Sequence, residues 1–307
     1  MIEINNLSIK IQSIEDIIRC STLSSLLELS GWPKPGNVHR THDFEDTRFE
    51  HFLSAISAIQ PSFHKFCKRI FDSVQKFDQN YDLINLGSVY FESVNTMMDW
   101  QMGGNVLLGH ILILTPLLAS TTLCLKFNKL KFKHLKRILL KIIEDSTVED
   151  TINLYKAIRK ANPGGLGKVQ VLKWLLIHLF SKEYDLISRE YATGYQIIFN
   201  TGIPYYIEKF KSTKDINVAT VDTFLRILSL FPDSLIIRKS NEKNALKISQ
   251  EASKIIRMGG ISKKDGLKAT LELDKFIQRR KGKLNPGTTA DILAGVIFCS
   301  LISGIRF

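Results

Sequence analysis

Cysteine is scarce in this sequence and poorly placed for its usual structural roles. Cys20, Cys67, Cys124 and Cys299 lie far apart and form no Cys-x-x-Cys pair. That excludes a disulfide framework and a cysteine zinc site, and makes a reducing cytoplasm the expected compartment. A spacer is missing too. No Pro/Ser/Gly-rich or low-complexity stretch breaks the 307 residues and no repeat is evident, so a single domain over 1–307 is expected. The N-terminus (MIEINNLSIKIQSIED) lacks the basic start and long apolar run of a signal peptide. Strand-type alternation is nearly absent, apart from short ambiguous pieces such as 235–238.

What is present is helical periodicity. Ile14, Ile17 and Ile18, then Leu23, Leu26 and Leu27, follow the three-and-four spacing of an amphipathic helix. Phe49, Phe52, Leu53 and Ile56 repeat it, as do Val148, Ile152, Tyr155 and Ile158. Further helices are expected near 62–77, 85–101, 106–125, 131–144, 168–180, 184–199, 218–230, 243–258, 264–278 and 288–304. The fold class is therefore all-α: one multi-helix globular bundle, with Gly/Pro-rich turns between helices lining a central pocket. Residues 106–125 (VLLGHILILTPLLASTTLCL) carry no charge over about the length that spans a bilayer. His110, Pro116 and the run Ser120 to Thr122 interrupt them, which favours a buried central helix over a membrane span.

The formal net charge is +12, with basic residues concentrated at Lys126 to Lys141 and Lys263 to Lys283. Such an excess favours a polyanionic partner, while many of the individual lysines read as solvated helix faces.

Five joints interrupt the helices: GWPKPGNVH (31–39), MGGN (102–105), NPGGLGK (162–168), FPDSLIIR (231–238) and NPGTTAD (285–291). A glycine-rich turn entering a helix exposes backbone N–H groups at the positive end of the macrodipole, which suits phosphate. Several such turns on one bundle suggest helix ends converging on an anionic ligand. NPGGLGK is no Walker A loop, because its glycine spacing is wrong and no Ser or Thr follows Lys168.

Asp43 and Asp46 are three apart before the helix of Phe49 and Phe52, a spacing that puts two helical side chains on one face. They read either as cap and first-turn carboxylate or as ligands of Mg2+ shared with substrate phosphates. Lys34, held between Pro33 and Pro35, reads either as an exposed turn lysine or as a cation aimed at phosphate from a stiff loop. His39, His42, His51 and His64 match no zinc spacing; His42, beside Asp43, is the candidate for a catalytic role.

In order, PKPGNV…HDFEDTRFEHFLSAISAI, GGNVLLGHILILTPL, NPGGLG, FPDSLIIR and LNPGTTADILAGVIF resemble the triphosphoribosyl-dephospho-CoA synthase family over about residues 20–304. The resemblance implies an all-helical, Mg2+-dependent transferase that joins ATP to 3′-dephospho-CoA and releases adenine. Its product is the precursor of the prosthetic group of citrate lyase and malonate decarboxylase acyl-carrier subunits. It implies catalytic roles for Asp43, Asp46 and His42, and Mg2+ held by Asp43, Asp46 and Asp291. It implies substrate contacts from Lys34, Gly36, Asn37, Asn105, Gly109, Asn162, Gly164, Gly165, Arg238, Asn285, Gly287 and Thr288. The expected partners are ATP and a CoA-like nucleotide, with no membrane; a homo-oligomer is left open.

Where the bacterial synthases carry Asn-Thr-His-Lys-Gly, this chain has Asn105-Val106-Leu107-Leu108-Gly109. Their His-x-Asp is matched only approximately, around His42 to Asp46. The chain is thus read as a divergent member. One alternative is related ATP-dependent phosphoribosyl transfer to a different acceptor. Another is a basic helical protein that binds nucleic acid or a protein partner without catalysis. Against nucleic acid stand the lack of a helix-turn-helix or RNA-binding signature and of aromatics alternating with the basic residues.

Overall fold

The computed structural model describes residues 3–77, 80–164 and 185–307. Among these residues there are thirteen α-helices and no strand. They are α1 (Ile14–Ser30), α2 (Phe49–Ser73), α3 (Leu86–Asp99), α4 (Leu108–Lys126), α5 (Phe132–Glu144), α6 (Val148–Ala161) and α7 (Leu186–Thr193). After these come α8 (Ile203–Thr213), α9 (Ile216–Leu230), α10 (Ser234–Lys239), α11 (Glu242–Arg257), α12 (Lys264–Gln278) and α13 (Gly287–Ile302). The expected helix at 168–180 and the glycine at Gly165 lie outside the described residues.

The chain divides into two compact units. The first comprises residues 1–26, 50–163 and 298–306, and the second 27–49, 164–297 and 307. In the first, α4 is the centre: sixteen of its residues, Leu108 through Cys124 with the exception of Leu112, are buried. It is long and apolar enough to cross a membrane, yet 83% of its apolar window is buried inside the protein. Its hydroxyls turn inward on the helix itself: Thr115 Oγ1 donates to Ile111 O at 2.7 Å and Thr122 Oγ1 to Leu118 O at 2.8 Å. That is how a run so rich in Ser and Thr stays both helical and buried. α5 packs one apolar stripe, Phe132, Leu135, Ile138, Leu139 and Ile142, and turns its lysines outward.

Asp150 ties α6 to α3. Its Oδ2 accepts from Thr147 N and Oγ1 in a capping box, and its Oδ1 accepts from Gly87 N at 2.7 Å. A β-carbon at Gly87 would lie 2.4 Å from the Asp150 backbone, so the approach requires glycine.

In the second unit most helices open on a side-chain cap. Asp185 serves α7, Asp215 α9, Asp233 α10 and Asn241 α11, each accepting from backbone N–H groups of the first turn. The ambiguous piece at 235–238 is helical for this reason. The pattern of Phe49 to Ile56 and the helix expected near 62–77 are one helix, α2, which runs through Pro61. The expected helix at 184–199 instead stops at Gly194, which is left-handed at φ +67°. A π-helical stretch, Ile197–Gly202, then leads into α8.

Glu190 holds that junction. It is fully buried, and its two carboxylate oxygens accept from Ile197 N at 2.8 Å and Ile198 N at 2.9 Å. Burial outweighs these bonds and pushes its pKa up from 4.5 to about 7. The folded protein therefore binds a proton that the unfolded chain gives up between pH 4.5 and 7. Stability from this group is full below the lower value and is lost as pH rises toward the upper, by on the order of 3 kcal/mol. Urea unfolding of wild type and Glu190→Gln across that window is expected to show the decline in wild type and a flatter profile in the variant.

Candidate functional site

The site is built in the second unit, beginning with the loop that leaves α1. Residues 33–39 are almost wholly buried. Asn217 secures the entrance, accepting from Trp32 N at 2.8 Å and donating to Trp32 O at 2.6 Å. The Trp32–Pro33 peptide is cis. Lys34 is 1% exposed and its ammonium is bonded to the Glu28 carboxylate and, at 2.6 Å, to Glu28 O. Burial pulls its pKa down, while Glu28 and then Asp291 act against that. Lys34 is thus no exposed turn lysine; it is one half of a buried ion pair with Asp291 close by.

Beyond Lys34 the loop is fixed by Asp274 on α12. Gly36, at φ +78°, donates its N–H to Asp274 Oδ1 at 2.9 Å, and His39 Nε2 lies 3.3 Å from Asp274 Oδ2. Gln278 donates to Asn37 O at 2.9 Å and to Asp274 Oδ1 at 3.1 Å. Burial would raise the Asp274 pKa, but His39, the Gly36 N–H and Gln278 together hold it below the ordinary range. His39 is the buried histidine of the group, and its other nitrogen accepts from Thr41 N at 3.4 Å. With both nitrogens engaged, His39 is a structural tie for the loop. His42, the sequence candidate, is half-buried and bridges His39 through backbone hydrogen bonds of 3.0 and 3.1 Å.

Asp43 and Asp46 do not share a helical face, because residues 43–48 are irregular and α2 starts only at Phe49. Asp43 Oδ1 accepts from Phe49 N at 2.7 Å, which makes it a cap reached across the loop. Asp46 is exposed, and its charge acts on Lys239. Asp291 stands on α13 beside Lys34. Among the described residues no group of three His, Cys, Asp or Glu side chains could hold a metal, so Asp43, Asp46 and Asp291 do not form one.

The joints 231–238 and 285–291 are locked together by Asp233, which is fully buried. Its Oδ1 accepts from Leu235 N and Ile236 N, and its Oδ2 from Thr289 N at 2.7 Å and Thr289 Oγ1 at 2.8 Å. One carboxylate thereby joins the first turns of α10 and α13. Burial raises its pKa against these bonds and the Arg238 charge. Ser234 extends the lock, donating to Asp185 Oδ1 at 3.2 Å with its Oγ 3.0 Å from Thr288 Oγ1. Asn285 accepts from the Asn37 amide, which joins this lock to the buried loop.

An open cleft of about 310 Å3 lies next to it, lined by Arg238, Lys239, Lys281, Gly282 and Lys283. Arg238 Nη1 is a long 3.4 Å from Asp185 Oδ1, and its Nε is buried with no hydrogen-bond partner. Burial lowers the Lys239 pKa, which Asp46 counters. The Lys239 stem passes Gly164, where a β-carbon would come within 2.8 Å of it. Lys281 pairs with Glu45 at 2.9 Å on the surface. A concave patch of four cations with a buried, unsatisfied guanidinium N–H is suited to a multiply charged phosphate.

Of the expected contacts, Lys34, Gly36, Asn37, Gly164, Arg238, Asn285, Gly287 and Thr288 belong to this unit. Asn105, Gly109 and Asn162 belong to the other. There Asn105 Oδ1 accepts from Leu108 N at 3.1 Å at the start of α4, Gly109 is buried within α4, and Asn162 closes α6 at φ +45°.

The model of one family, CitG: ATP:dephospho-CoA triphosphoribosyl transferase, matches residues 14–306. The chain belongs to that family. Curated relatives include the 2-(5''-triphosphoribosyl)-3'-dephosphocoenzyme-A synthase of Escherichia fergusonii, 27% identical over 111 residues, 36% of either chain. The enzyme of the same name from Klebsiella pneumoniae is 26% identical over 111 residues, again 36% of each. The chain thus spans little more than a third of these relatives' length. A solved structure from Archaeoglobus fulgidus, provisionally assigned as a triphosphoribosyl-dephospho-CoA synthase, superposes with a TM-score of 0.58. At 24% identity it covers 83% of this chain and 100% of its own, and it supports the all-helical fold.

Leu107 and Leu108, which the sequence resemblance sets against a bacterial His and Lys, are both buried, at 0% and 8% exposure. Those positions are core here. Lys281 and Lys283 fall in the basic stretch noted in the sequence, whereas Lys239, Asp185, Asp274 and Gln278 carry no site expectation there. Asp274 and Gln278, four apart on α12 next to buried Leu273 and Ile277, were the one readable signal: polar side chains set along an apolar stripe.

Asp233→Asn keeps one acceptor but sets an amide N–H2 against a donor of Thr289 or of α10. It is expected to cost about 2–3 kcal/mol, read as a fall in urea midpoint at unchanged slope.

Proposed function

We propose that this protein transfers the triphosphoribosyl group of ATP to a ribose hydroxyl of 3′-dephospho-CoA, with release of adenine. The reading rests on membership of the family over residues 14–306, and the single structural observation that carries it is the cationic cleft. A triphosphate seated there would meet Lys239, Lys281 and Lys283 beside Arg238. Four cations near the chain's own Asp46 also suit a donor carried with Mg2+. Hard carboxylate oxygens fit that ion, and with no three-ligand group among the described residues, substrate phosphates would supply much of its coordination. When bound, Mg2+ neutralises triphosphate charge.

In the transfer, the bond from C1′ to the adenine nitrogen breaks and a bond from the acceptor oxygen to C1′ forms. The hydroxyl proton is balanced by the proton adenine takes up on leaving. Positive charge develops on the ribose as the base departs, as in glycoside hydrolysis. The buried tie of Asp274 and the Asp233 lock keep the loop and the helix ends in place while this happens. The four cysteines are buried and unpaired, with burial pushing Cys67 and Cys124 up to about 12, which supports a cytoplasmic protein with inert thiols.

A second reading keeps ATP as donor but uses another acceptor. It is favoured by Leu107 and Leu108, which offer no cation where the bacterial stretch has His and Lys. Purified protein with Mg2+, ATP and dephospho-CoA is expected to release free adenine, followed by chromatography. Release only with a different nucleoside acceptor would select the second reading, and none with any acceptor would refute both. Lys239→Ala is expected to lower kcat/KM for ATP by about 10–100-fold without changing the unfolding midpoint.

A further inference from the structure

We propose that the outer face of α6 is a docking surface for a second copy of this chain, and that two copies of the helix pack there antiparallel about a two-fold axis. The surface lies in the first unit and does not depend on the transfer reaction.

α6 is apolar on two opposite sides. Successive residues of a helix turn by about 100°, so Asp150, Ala157 and Ala161 fall together on one side. These are its buried residues, and Asp150 on that side bonds Gly87 N of α3. Val148, Ile152 and Tyr155, spaced by four and then three, fall together roughly 180° away. Val148 is 79% and Ile152 43% exposed, and Tyr155 is half-buried. The helix thus turns two alanines and a bonded carboxylate to the core, while its larger apolar side chains are half-buried or exposed. A helix that only faced water on this side would be polar there. The sequence period marks a face that the fold of the first unit leaves open, and such a stripe suits a protein contact.

The charges beside the stripe identify the partner. One flank carries Glu149, Asn153, Lys156 and Lys160, all within about 60° of one another around the helix. Asn153 joins two of them, donating to Glu149 Oε1 at 3.1 Å and accepting from Lys156 Nζ at 3.1 Å. The acid is at the N-terminal end of the flank and the lysines are toward the C-terminal end. A two-fold axis perpendicular to the helix sets this flank against the same flank of the other copy, running the opposite way. Glu149 of each copy then meets Lys156 and Lys160 of the other, and the two macrodipoles oppose. A parallel pair would set the flank against Thr151 and Ile158 and bring like helix ends together. The face is therefore complementary to itself in one orientation, as an isologous contact requires. A helix of 14 residues has a footprint about 21 Å long and 10 Å wide, small for a protein interface, so a Kd in the micromolar range is expected.

Sedimentation velocity of the full chain over about 1 to 300 µM is expected to show a reversible monomer–dimer equilibrium with a Kd on the order of 10 µM. Ile152→Glu is expected to remain monomeric across that range, and Glu149→Lys to weaken the dimer by about tenfold through like charges. Adding Lys156→Glu and Lys160→Glu to Glu149→Lys restores opposite charges across the axis and is expected to recover most of the loss. All four side chains are exposed, so urea midpoints close to wild type are expected and check that each variant folds. If one variant does not fold, the wild-type equilibrium and the remaining variants still decide. A wild type that stays monomeric throughout would overturn the proposal, as would a dimer that both Ile152→Glu and Glu149→Lys leave intact. A charge-reversed triple variant no tighter than Glu149→Lys alone would rule out the antiparallel pairing.

Discussion

Asp274 draws three donors onto one partly buried carboxylate: the backbone of Gly36, the ring of His39 and the amide of Gln278. The loop between α1 and α2 has little regular structure of its own, so its path depends on such side-chain ties. Gly36 meets this requirement with a left-handed backbone and with the absence of a β-carbon, which would lie 2.4 Å from Ile277. If the carboxylate were lost, Gly36 and His39 would lose the partner that joins them to α12.

The second unit handles charge in two contrasting ways. Deep in the fold each ionic group is matched: Lys34 by Glu28, Asp233 by four donors from two helices. Such burial is tolerable only because the partners are fixed beforehand, since desolvation would otherwise exceed the attraction. At the cleft the opposite holds. Lys239, Lys281 and Lys283 gather around a space with few anions of the protein's own, and Arg238 has a donor unused. The molecule is finished in the first region and awaits a ligand's charge in the second.

Much of the helical architecture was readable in the sequence, because its apolar positions recur at three and four over long stretches. What misled was local. The pattern of Phe49 to Ile56 and the candidate at 62–77 read as two helices, yet the apolar face of α2 continues through Pro61 and packing carries one helix over both. Residues 203–213 gave too short a signal to be seen, and they follow a π-helical stretch that no simple period describes. The site was legible in its turns and not in its chemistry. Asp43 and Asp46 were paired on the assumption that the helix had begun, whereas the chain stays irregular until Phe49. Asp274 and Gln278 meet the loop from more than 230 residues away, a closeness that spacing along the chain cannot convey.

Gly164 touches no charged group of its own, yet it governs one. The methylene stem of Lys239 lies so close to its backbone that a single added methyl group would lie 2.8 Å from the terminal carbon. The ammonium would then swing aside, away from the charge of Asp46 that acts on it. A methyl group at 164 would thus move a cleft cation while costing the fold little, because what it meets is the far end of a flexible stem.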